Sequence, residues 1–121
     1  MAGDSSSKLV LLESMTPHER QLHFEQEKLQ MEEDWLKFMV DSMREVDNQV
    51  EFFTSKAKYH IKNYELHGDE SSLELAEQYA DIAESTKDSR YTLKEVRAQR
   101  ERVQCQRKIV NQMKNETSTA S

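Results

Sequence analysis

The chain holds very little that breaks a helix. Its 121 residues include two glycines and one proline, so long, uninterrupted α-helix is the expected default. A single cysteine, Cys105, excludes an internal disulfide and fits a reducing compartment. No stretch approaches the roughly 20 apolar residues of a membrane span. The opening Met1-Ala2-Gly3-Asp4 has no basic region ahead of an apolar run, so no secretory signal is expected. The triplet Asn115-Glu116-Thr117 then has no glycosylation context. Signatures of common chemistries are missing too: no glycine-rich phosphate loop, Cys-x-x-Cys, His-Glu-x-x-His or Gly-x-Ser-x-Gly. The expectations are a cytoplasmic or nuclear protein, no enzyme activity, no cofactor and no small-molecule substrate.

What the chain does have is charge. Charged residues make up 33% of it and hydrophobic ones 36%, with a net charge of −6. The acidic total disfavours a dedicated nucleic-acid binder and an anionic membrane surface. The charge is also patterned. Residues 13–51 carry eleven acids and four bases, a net of −7, while residues 87–114 carry nine bases and three acids, a net of +6. Nearer the middle the signs reverse: Lys56, Lys58 and Lys62 precede Gly68, and Glu74, Glu77, Asp81 and Glu84 follow it. Folding the chain back at Gly68 sets each acidic block against a basic one. The expected fold is all-α, a single long antiparallel helical hairpin or coiled coil. If the second helix breaks between Ser85 and Ser89, where helix formers are scarce, a three-helix bundle is the alternative. Such a thin fold buries a seam rather than a sizeable core, and folds of this kind often lean on partners.

Helix boundaries are readable. Thr16-Pro17-His18-Glu19 is a helix start, with Thr16 as cap, Pro17 at the first helical position and Glu19 able to reach back. Helix 1 is expected over about 17–66, after a flexible segment 1–15 that contains the short apolar run Leu9-Val10-Leu11-Leu12. Gly68 can close helix 1 in the left-handed conformation, and Ser71 with Glu74 forms a second capping box. Helix 2 is expected over about 72–114, with 115–121 a disordered tail.

Helix 1 has a heptad seam of Leu22, Leu29, Leu36, Met43, Val50, Ala57 and Tyr64. Its companion row is Glu25, Glu32, Met39, Val46, Phe53, His60 and His67. In helix 2 the expected seam is Leu75, Ile82, Ser89, Val96, Val103 and Val110, with Tyr79, Thr86, Leu93, Arg100 and Arg107 beside it. If the hairpin is uninterrupted, position i meets about 138 − i. Arg107 then falls near Glu32 and Lys114 near Glu25.

A third row on helix 1 is also apolar: Phe24, Met31, Phe38, Phe52, Tyr59 and Leu66, interrupted by Glu45. The greasy face is then roughly 160° wide, more than one neighbouring helix can cover. Phe24, Met31, Trp35, Phe38, Phe52 and Tyr59 are the candidate partner-binding residues. Their expected role is docking to other helical subunits or self-association. The bland alternative is cover by Leu9-Val10-Leu11-Leu12 or by a third helix. The layout over residues 16–114 resembles the small helical subunits of eukaryotic multisubunit complexes, such as kinetochore, lysosome-positioning and spindle-associated assemblies. That resemblance implies an interaction or scaffold role and assigns no role to any residue.

Three other features have a functional and a plain reading. The basic stretch 87–108, with Arg97, Arg100 and Lys108, fits phosphate binding in a nucleic-acid-associated helix, against internal pairing with Glu25, Glu27, Glu32, Glu33 and Asp34. His60 and His67 share a helix face and with Glu70 suggest a metal, against the plainer reading as polar heptad positions. Thr16-Pro17 fits a proline-directed phosphorylation site, against a plain cap.

Overall fold

The computed structural model describes residues 13–120, and side chains through residue 116. All regular structure among the described residues is helical: α1 (Pro17–His67), α2 (Glu70–Asp88) and α3 (Leu93–Ala120). The chain divides into two compact units. One comprises the residues up to Leu36 together with those from Arg97 onward, and the other is Lys37–Val96. Each is an antiparallel pair of helices.

α1 begins as its sequence dictates. The Thr16 hydroxyl accepts the Glu19 amide at 3.1 Å, satisfying one of the donors that every helix start leaves open. α1 ends at Gly68, whose φ of 65° is a conformation that a Cβ would make costly. Its amide bonds Tyr64 O at 2.7 Å.

The cap of α2 is Asp69, not Ser71. The Asp69 carboxylate accepts both the amide (3.1 Å) and the hydroxyl (2.8 Å) of Ser71. These hydrogen bonds hold the Asp69 carboxyl below its ordinary pKa. A charged cap directly after the left-handed glycine starts the helix at once, so the corner is only two residues long.

The second leg breaks at the C-terminal end of the expected stretch, at Ser89. Ser89 closes α2, its hydroxyl donating to Thr86 O at 2.6 Å. Thr92 and Glu95 then form a reciprocal capping box for α3. The Glu95 amide donates to Thr92 Oγ1 at 3.1 Å, and the Thr92 amide to Glu95 Oε1 at 3.2 Å. Arg90, in the link, clamps Asp47 of α1 with Nε at 2.7 Å and a second guanidinium nitrogen at 3.2 Å. α2 pairs with α1 in one unit and α3 pairs with α1 in the other. α3 continues to Ala120, beyond the expected end at Lys114, because no glycine or proline stops it there.

The link also changes the face that each leg buries. On α1 the expected rows hold: Met39, Met43, Val46 and Ala57 are buried. On α3, Val103 and Val110 are buried as expected, but their companions are Gln99 and Gln106 rather than Arg100 and Arg107. On α2 the expected seam is wrong. Ser72, Ala76 and Ala83 are buried, while Leu75 and Ile82 lie exposed, as does Leu93 at the start of α3. One heptad row cannot run through both legs, because the non-helical link resets its phase.

Register shifts for the same reason. Glu25 therefore meets Gln106 and Glu32 meets Gln99, each eight residues before the Lys114 and Arg107 that the uninterrupted expectation brought to those positions.

Candidate interaction site

In the unit formed by the start of α1 and α3, the seam carries two identical polar layers. Gln99 Nε2 donates to Glu32 O at 3.0 Å and to the Glu32 carboxylate. Seven residues away on each helix, Gln106 Nε2 donates to Glu25 O at 2.9 Å and to the Glu25 carboxylate. Both glutamines are 4% exposed, and burial at that level requires such partners. Arg107 reaches Glu33 at 3.2 Å. Arg97, Arg100 and Lys108 are exposed and make no ion pair among the described residues. The expected pairing of the basic stretch with the acidic block is thus mostly replaced by amide–carboxylate layers. A cleft of about 240 Å³ on this unit is lined by Lys28, Glu32, Arg102, Cys105, Gln106 and Ile109.

In the unit Lys37–Val96 the seam is aromatic. Tyr79 of α2 stacks on two rings of α1. It lies parallel to His60 within 2° at 5.5 Å, and within 24° of Phe53 at 6.4 Å. His60 is thus engaged in packing, and no group of His, Cys, Asp or Glu among the described residues is arranged to hold a metal. Edge contacts extend the cluster outward, from Phe53 to Phe52 at 5.4 Å and from His60 to Tyr59 at 5.2 Å.

The two flanks of this unit differ. One carries a cleft of about 370 Å³ whose lining includes Asp47, Thr54, Glu84, Lys87 and Arg90. The Arg90 guanidinium holds the Asp47 carboxyl below its usual range and is itself held above its own. Leu75 and Ile82 lie on the opposite side of α2's buried row from Lys87. Phe52, Lys56 and Tyr59 lie on the opposite side of α1's seam from Thr54. These residues share the second flank, where Phe52, Ser55, Lys56 and Tyr59 line a cleft of about 310 Å³. The Lys56 ammonium sits 5.7 Å from the Phe52 ring centroid.

All six candidate partner-binding residues are on the surface. Phe24, Met31 and Trp35 in one unit, and Phe38, Phe52 and Tyr59 in the other, are 48–71% exposed. α2 and α3 leave them so. Leu9-Val10-Leu11-Leu12, the other expected cover, lies outside the described residues. Phe38 also meets the ring of Tyr91 in the link, edge-on at 6.4 Å. Sequence reasoning missed Leu75 and Ile82 as surface residues, since heptad spacing carried back from Val96, Val103 and Val110 placed them in the seam. No known protein family, curated protein or solved structure matches the chain. No helix among the described residues is long and apolar enough to cross a membrane.

Proposed function

We propose that the chain is a non-enzymatic coiled-coil interaction subunit, which assembles with other helices inside a multiprotein complex of the cytoplasm or nucleus. The supporting observation is the exposure of the whole candidate row. Large apolar side chains left exposed in series on a folded helical pair are characteristic of contact surfaces. The seam residues fix the pairing within the chain, and the row outside the seam supplies the contact.

The test is cross-linking mass spectrometry on cell extracts with the full chain, comparing wild type with F24E/M31E and F52E/Y59E. These positions lie outside the seam, so helicity by circular dichroism should persist. Cross-links to helical partners or to a second copy should disappear. Unchanged cross-links in both variants would refute the reading.

A second reading, a nucleic-acid-associated helix, draws on the exposure of Arg97, Arg100 and Lys108. Its signature would be binding that weakens steeply with salt and vanishes when these three become Glu.

A further inference from the structure

We infer that the apolar flank of the unit Lys37–Val96 is a self-association surface, and that its occupant is the same flank of a second copy. This rests on the interaction-subunit reading and names the partner of part of that site.

The flank is built from both helices. Phe52 and Tyr59 project from α1, and Leu75 and Ile82 from α2, each between 39 and 60% exposed. The charges around them differ in sign by helix. On α1, residues 52–64 contain Lys56, Lys58 and Lys62 and no acid. On α2, Glu74 and Asp81 directly precede Leu75 and Ile82 and so lie about 100° further round the helix, on its outer face.

These are the charges whose arrangement suggests pairing within the chain. That pairing does not form: no ion pair joins Lys56 or Lys62 to Glu74 or Asp81 among the described residues, and all four are exposed. The reason is geometric. Lys62, Glu74 and Asp81 occupy outer rows that face away from the neighbouring helix of their own pair, and Lys56 lies over the Phe52 ring.

A basic, aromatic α1 beside an acidic, aliphatic α2 is complementary to itself under a twofold rotation. Two copies placed flank to flank put α1 of each on α2 of the other. Phe52 and Tyr59 then meet Leu75 and Ile82, and Lys56 and Lys62 meet Glu74 and Asp81, twice over. Such an isologous contact closes on itself and covers both apolar surfaces at once. A partner of unrelated sequence would need to reproduce both the aliphatic and the acidic row that α2 already carries.

Charge exchange tests this directly. Sedimentation velocity on the full chain should give twice 14.3 kDa. K56E/K62E makes both helices of the flank acidic, and E74K/D81K makes both basic, so each variant alone should sediment as a monomer. An equimolar mixture of the two should recover the dimer mass, as should the variant carrying all four changes. Circular dichroism on each confirms that the helices remain.

A monomeric wild type at the highest soluble concentration overturns the inference, as does a dimer indifferent to both exchanges. Either result leaves the broader interaction reading to the cross-linking comparison of F24E/M31E and F52E/Y59E. A wild-type dimer whose exchanged variants fail singly and recover when mixed establishes the α1-to-α2 contact.

Discussion

Arg90 and Asp47 are held together by two hydrogen bonds, from residues 43 apart in the chain, at the point where the second leg stops being helical. The contact ties the link to α1. Because Asp47 has a depressed pKa when folded, its contribution is complete above the unfolded value of 3.8 and is lost as pH falls through the lower, folded value. Asp69 follows the same sign. At neutral pH, Asp47→Asn should melt below wild type. The difference should shrink as pH drops below about 3.8, measured by thermal melts across pH. A gap that stays constant into strong acid would show that the ion pair is not its cause.

Tyr79 of α2 stacks in the seam between Phe53 and His60. Tyr79→Ala should cost about 2 kcal/mol, the low side of aromatic truncations because the ring is only partly buried. Tyr79→Phe keeps both stacked faces and should cost well under that. Urea unfolding of the pair of variants separates ring packing from the hydroxyl.

Gln99→Glu places a carboxylate at a 4% exposed position facing Glu32. An uncompensated buried charge costs on the order of 3 kcal/mol. Hydrogen exchange in α3 should therefore accelerate at neutral pH and slow again on acidification, as the new carboxyl takes up a proton. Exchange in α2 serves as the internal reference.

A Cβ added at Gly68 would meet no atom within 4 Å, so substitution there meets only backbone strain. Gly68→Ala should cost about 1 kcal/mol and Gly68→Asn less, since Asn tolerates the left-handed region. Removing the α3 cap with Thr92→Ala should also cost about 1 kcal/mol. Equal melting points for all three variants and wild type would mean that neither terminus signal matters.

Much of α1 is legible in the sequence because its signals agree with one another. Thr16 caps, Gly68 stops, and heptad spacing places Met39, Met43, Val46 and Ala57 in the seam. α2 is not, because side-chain size is a poor guide to burial there. Its seam is filled by Tyr79 and by the large side chains of α1, so the facing positions are small: Ser72, Ala76 and Ala83. Leu75 and Ile82 are displaced to a flank. The register of α3 depends on Thr92-x-x-Glu95 acting as a helix start. Without that start, the row through Val96, Val103 and Val110 projects back through the break and misplaces both legs. Charge matching across Gly68 is visible in the sequence, but the outward direction of those charges depends on α2's true phase. The candidate row on α1 needs only helical periodicity, whereas the α2 half of the second flank needs the structure.

The link at residues 89–92 separates two helices whose phases are set independently. Within a paired helix, an added residue rotates everything beyond it by about 100°, so insertions are tolerated only in numbers that restore the buried stripe. At the link the two phases are already unrelated, each helix being started or stopped by its own cap. A single extra residue there leaves the internal phase of α2 and of α3 as their own caps set it, and its cost falls instead on the contacts that Arg90 and Tyr91 make with α1.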